Sequence, residues 1–169
     1  VNFPATAVAN SNDVFVFADG SQLYIGAGDV DGNPATVSNE TGSTNTGNDA
    51  LFGGDGADSL TGGAGNDVMQ GNSGADTLSG GSGNDTIYGG QDADTITTTS
   101  GADFVNGNKG TDSITGSTSA ETLLGGQDND TIAGSGGADF LNGNLGDDTI
   151  SGGSAADQIF GEDGADNIS

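Results

Sequence analysis

The chain has 169 residues, 25 of them acidic and only one basic (Lys109), for a formal net charge of −24. Gly supplies 34 positions, hydrophobic residues only 31%, and His, Cys and Trp are absent. This excludes a nucleic-acid surface, which needs a basic patch, an anionic-membrane surface, a disulfide framework and a bilayer-spanning segment. A chain this charged repels itself unless a cation neutralises it, and Asp-rich oxygen donors favour a hard one such as calcium.

Residues 1–43 stand apart from the rest of the chain. VFVFA (14–18) and QLYI (22–25) read as two strands joined by a turn at Asp19-Gly20. DVDGN (29–33) is a turn with three oxygen-bearing side chains, but it lacks the length and terminal Glu of an EF-hand loop. The Thr/Asn/Ser-rich stretch through Gly42 reads as a linker. The hairpin is expected either to cap the next unit or to belong to a preceding domain. Val1 reads as a cut or processed end, and Ser169 closes a repeat with no cap, so a longer parent chain is expected.

Residues 44–169 form the second unit. They divide into fourteen consecutive nonapeptides without an insertion or deletion, such as GGAGNDVMQ (62–70), GGSGNDTIY (80–88) and GGQDNDTIA (125–133). The first position is Gly in twelve of the fourteen. The sixth is Asp49, Asp58, Asp67, Asp76, Asp85, Asp94, Asp103, Asp112, Glu121, Asp130, Asp139, Asp148, Asp157 and Asp166. The eighth is apolar throughout, from Leu51 to Ile168. Six turn-forming residues, with Gly and Asn at positions that need positive φ, precede a three-residue strand whose middle side chain points inward. Two nonapeptides make one coil. About seven coils give a rod of about 34 Å at the ~4.8 Å strand spacing.

These nonapeptides resemble the RTX (repeats-in-toxin) family, whose repeat is a known solenoid signature. The resemblance covers residues 44–169. It implies an all-β, right-handed parallel β-roll that binds multiple Ca2+ between stacked turns through the Asp carboxylates and backbone carbonyls. It also implies type I secretion and folding on contact with extracellular calcium. The sixth-position Asp residues are the metal ligands on this reading, with Glu121 a weaker one. Asp92 and Asp128, which replace the fourth-position Gly, are additional candidates because Asp tolerates the left-handed region. Stacking brings like carboxylates near each other, and they repel unless a cation lies between them. Binding free energy then becomes folding free energy.

Odd and even repeats fall on opposite edges of the rod, and the edges differ. The even edge adds Asp55, Asp92, Asp128, Asp147, Glu162 and Asp163 to its sixth-position Asp residues. Departures gather on the odd edge: Thr98-Thr99 replace the Gly pair, Ser119 and Ala155 replace the fourth Gly, and Glu121 replaces Asp. Weak or empty sites are expected there from about repeat seven onward.

The two faces differ as well. On the odd face Phe52, Val68, Tyr88, Phe104, Leu124, Phe140 and Phe160 alternate between the seventh and ninth positions from coil to coil. Such a sustained apolar stripe reads as a partner-binding surface, against the plainer reading of ordinary aromatic residues on strands. The even face is almost wholly Ser and Thr and reads as solvated β-surface. O-glycosylation and ice binding are lesser alternatives there.

Catalysis fails on inventory, because no His is present for general-base work and nearly all carboxylates belong to the periodic pattern. The favoured role is a non-enzymatic, secreted, cell-surface structural or adhesive module, such as an S-layer, adhesin or filament component. It would self-associate or dock on other domains of the same protein, without nucleic acid or membrane insertion. The alternative is the folding and secretion module of a larger secreted enzyme or toxin. An ice-binding solenoid is third.

Overall fold

A computed structural model describes residues 47–169 in full, and the backbone of residues 13–16, 22–25 and 41–43. The Asp19-Gly20 turn, the DVDGN turn and most of the linker lie outside the described residues. All regular structure among them is β, in a parallel solenoid of about seven turns.

The strands in chain order are β1 (Asp13–Val16), β2 (Gln22–Ile25), β3 (Thr41–Ser43), β4 (Ala50–Asp55), β5 (Ser59–Ala64), β6 (Val68–Ser73), β7 (Thr77–Ser82), β8 (Thr86–Gln91) and β9 (Thr95–Thr97). They continue as β10 (Phe104–Lys109), β11 (Ser113–Thr115), β12 (Thr122–Gln127), β13 (Thr131–Ala133), β14 (Phe140–Leu145), β15 (Thr149–Ser151), β16 (Gln158–Asp163) and β17 (Asn167–Ile168). From β4 onward consecutive strands alternate between two sheets. One runs β1-β2-β4-β6-β8-β10-β12-β14-β16 and the other β17-β15-β13-β11-β9-β7-β5-β3. Partners lie eighteen residues apart, as in Val105↔Leu123 and Ile114↔Ile132. The register is therefore the nonapeptide period doubled.

The strands are longer than three residues wherever the following turn is regular. Every strand of the first sheet from β4 onward runs for six residues, into the first half of an even-edge turn. On the other sheet β5 and β7 do the same, but β9, β11, β13 and β15 stop after three. Their pairing ends where the odd-edge turns begin to depart from the consensus.

The eighth-position side chains fill the space between the sheets. Leu51, Leu60, Met69, Leu78, Ile87, Ile96, Val105, Ile114, Leu123, Ile132, Leu141 and Ile150 are all buried and form one cluster. The pattern ends before the last coil. Ile159 is partly buried and Ile168 is 48% exposed, both in the last coil described. A core one side chain wide per strand offers little apolar burial per residue, so the turns bear much of the stabilisation.

The N-terminal strands join this scaffold. β1 pairs antiparallel with β2, from Asp13↔Ile25 to Val16↔Gln22, which gives the expected hairpin. β2 pairs parallel with β4, and β3 pairs parallel with β5. Thr41–Ser43, read from the sequence as the linker's end, is thus a strand in register with Ser59–Thr61.

On the outer face of the nine-stranded sheet, registers Phe104↔Thr86 and Asn106↔Tyr88 set the apolar residues diagonally across adjacent strands. Two pairs touch: Tyr88 and Phe104 have ring centroids 5.9 Å apart, and Phe140 and Phe160 5.4 Å. Phe52, Tyr88, Phe104, Leu124 and Phe140 are half-buried, whereas Val68 and Phe160 are exposed.

Candidate metal centres

The sixth-position carboxylates line both edges of the core. Those from Asp49 to Asp148, Glu121 included, are buried, and Asp157 and Asp166 in the last coil are half-buried. Each turn leaves the N–H of its sixth residue facing the next coil. Except at Asp103 and in the last coil, that donor is met by the Oδ1 atom of the Asp eighteen residues on. Along the even edge the ladder runs Asp58 to Asp76, Asp94, Asp112, Asp130, Asp148 and Asp166, at 2.7–3.0 Å per step. On the odd edge it runs from Asp49 through Asp67 and Asp85 to Asp103, and again from Glu121 through Asp139 to Asp157.

The ladder uses one oxygen of each carboxylate. The other, Oδ2, is buried without a hydrogen-bond partner in Asp67, Asp76, Asp85, Asp94, Asp103, Asp112, Asp130, Asp139 and Asp148, as is the Oε2 of Glu121. A buried polar atom left unpaired is costly, and a buried charge more so. A repeated pattern of them calls for a cation.

The first-position Gly brings a second kind of oxygen close to the carboxylate. A methyl group placed on Gly53 would lie against Asp58 Oδ2 and 2.7 Å from the Gly71 carbonyl oxygen. On Gly107 it would lie against Asp112 Oδ2 and 2.6 Å from the Gly125 carbonyl, and on Gly125 against Asp130 Oδ2 and 2.8 Å from the Gly143 carbonyl. Each of these Gly residues therefore lets the carboxylate oxygen of its own turn and a carbonyl oxygen of the next coil close in on the backbone together, an approach that any side chain would block. Calcium takes oxygen ligands at about 2.3–2.6 Å, so the donor set suits it. No three acidic side chains converge among the described residues. A cation here would be held by one or two carboxylates supplemented by carbonyls, the mixture that Ca2+ accepts.

The electrostatics point the same way. Burial pushes the Asp94 and Asp130 carboxyls up to about 7, and those of Asp76, Asp85 and Asp112 to about 6. Burial also raises Asp67, Asp103, Asp139, Asp148 and Glu121. Hydrogen bonds oppose the rise in every case: the ladder N–H at each Asp, and Ser117 at Glu121. Neighbouring carboxylates add to it for most, Asp92 acting on Asp76 and Asp94, and Asp128 on Asp112 and Asp130. A dication in this environment would reverse the balance.

Asp92 and Asp128 are exposed at the even-edge surface and adopt φ of 72° and 75°, the left-handed conformation expected where they replace Gly. A further ladder, at position five, escaped the sequence reading. On the odd edge, Asn48 Oδ1 accepts from the Asn66 N–H, Asn66 from Asn84, and Asn84 from Ala102, each at 2.8 Å. On the even edge Asn129 accepts from Asp147, and Asp147 from Ala165. The only signal was the recurrence of Asn or Asp before the sixth-position Asp.

Fold and site together define a parallel β-solenoid whose turns present carboxylate and carbonyl oxygens to a cation. Residues 36–168 are matched, in overlapping copies, by the model of the RTX calcium-binding nonapeptide repeat, and the chain belongs to that family. No curated protein matches the chain. The β-roll is a structural calcium-binding fold rather than an enzyme fold. RTX repeat proteins are typically secreted, and no helix among the described residues is long and apolar enough to cross a membrane.

Proposed function

We propose that this chain is a calcium-folded structural module of an extracellular, cell-surface protein, which binds several Ca2+ ions along its two edges and docks through the outer face of its nine-stranded sheet. The sixth-position carboxylates and the backbone carbonyl oxygens that approach them are the calcium sites. The β1–β2 hairpin closes the N-terminal end of the roll.

The observation that carries the docking reading is the apolar stripe, maintained in register over every coil. Val68 and Phe160 are 43% and 42% exposed. The diagonal ring pairs hold the stripe rigid, which lowers the entropy lost when a partner covers it. A second copy of the chain or a neighbouring domain of the same protein is the fitting occupant. A chain with a net charge of −24 associates with its own kind only after calcium has reduced that charge.

Sedimentation velocity in saturating calcium tests this. The native chain should self-associate, and Phe104→Ser combined with Phe160→Ser should sediment as a monomer with its β-sheet circular dichroism intact. Native protein that stays monomeric at high concentration in calcium argues against self-docking.

The same calcium-gated folding would serve the secretion module of a larger enzyme or toxin. A catalytic domain encoded upstream in the same gene would favour that role.

A further inference from the structure

The two edges are not equivalent. Every even-edge turn repeats one backbone conformation, with positive φ at its second and fourth positions. This holds even where those positions are Asn72, Asn108, Asn144, Glu162, Asp92 or Asp128. On the odd edge, repeat seven retains positive φ only at Gly101, and repeat nine, Gly116–Glu121, has none.

Repeat nine closes on itself. The Glu121 carboxylate is one methylene longer than Asp, and it reaches back into its own turn. Its Oε1 accepts from the Ser117 hydroxyl, and from the Ser117 N–H at 3.3 Å. The Ser117 Oγ then accepts the Ser119 N–H at 3.1 Å. This is where the odd-edge ladder breaks, because the oxygen that would have met the Asp103 N–H is already engaged. The Ser119 hydroxyl takes the Gly101 N–H at 3.1 Å, a donor that in repeats one, three and five goes to a backbone carbonyl of the next coil. In repeat seven, a buried Thr98 stands at the first position where most turns have Gly.

We infer that repeats seven and nine form a self-closed seam that takes no calcium. The ions then make an unbroken column along the even edge and an interrupted one along the odd edge. This rests on the reading of the turns as calcium sites. The Ser117 hydrogen bonds hold Glu121 Oε1 in its own turn and the turn has lost its positive-φ conformation, so Glu121 leaves the ligand set even though its Oε2 stays unpaired. Calcium should therefore clamp the rod from one side at mid-length and from both sides near its N-terminal coils.

The test is calcium stoichiometry and midpoint, by equilibrium dialysis with calcium ion alone and by calorimetric titration, on the full chain. Glu121→Gln keeps the acceptor that Ser117 needs and should change neither the number of ions nor the midpoint by more than about twofold. Asp112→Asn, on the even edge at mid-rod, should lose at least one ion and raise the midpoint roughly tenfold, as expected for damage to a metal's ligand set. Restoring the consensus with Ser117→Gly, Ser119→Gly and Glu121→Asp together should add at least one ion. Loss of an ion in Glu121→Gln equal to that in Asp112→Asn would overturn the seam. A native chain that binds no calcium at all would instead remove the calcium reading beneath it.

Discussion

Calcium-free protein should become more stable as the pH falls from about 7 toward 4, the reverse of ordinary acid denaturation. The buried carboxyls titrate at about 6–7 in the roll and at 3.8 when unperturbed. A raised folded-state value means that the roll binds protons the unfolded chain does not. Its contribution to stability is fully present below about 3.8 and is lost as pH rises through 6–7. Protonation also does part of what calcium does, removing the charge from an oxygen buried without a partner. In chelator, β-sheet circular dichroism should be stronger at pH 5 than at pH 7.5, and any thermal unfolding transition should be seen at pH 5 first, with pH 5 chosen to stay above the sequence pI of 4.1. In calcium the sign reverses for affinity, because protons compete for the same oxygens, and the midpoint calcium concentration should rise as pH drops below 7. Calcium-free protein that loses stability on acidification would show that the carboxyls are not held as described.

Gly107→Ala should raise the calcium midpoint by roughly tenfold or more, an effect equivalent to at least about 1.4 kcal/mol. Conformational strain is not the reason, since Gly107 is not among the positive-φ glycines. The new methyl would clash with Asp112 Oδ2 and with the Gly125 carbonyl oxygen, 2.6 Å from the latter, and would push apart two oxygens read as ligands. Gly136→Ala is the natural control. A methyl there comes no nearer than 3.0 Å to the Ser154 hydroxyl and 3.8 Å to backbone, and its calcium midpoint should match the native value. Equal effects from the two substitutions would mean that the first-position Gly serves packing alone.

The doubled nonapeptide was enough to place the core from Leu51 to Ile150, the alternation between sheets and the eighteen-residue register. All three arise from a strict period and the in–out alternation of strands. What lay hidden depends on through-space partners. Asp76 reads in sequence as a turn residue, but nothing there says that one of its oxygens serves the Asp58 N–H while the other stays unpaired. Asn66 and Asn84 looked like interchangeable turn formers, yet they carry a ladder because they stack directly. Glu121 looked like a weakened Asp, but its extra methylene takes it to Ser117, a contact visible only once the turn is built. Nor could a Thr/Gly/Ser stretch reveal that Thr41–Ser43 pairs with β5.

Calcium, on this reading, supplies the missing partner of the buried carboxylates and so drives the roll to fold. Far-ultraviolet circular dichroism at pH 7.5, with calcium titrated in and then removed by chelator, is the decisive experiment. An unfolded spectrum in chelator, a cooperative rise of β signal with calcium, and full reversal on chelation are expected. The same β spectrum in chelator and in calcium would refute calcium-driven folding.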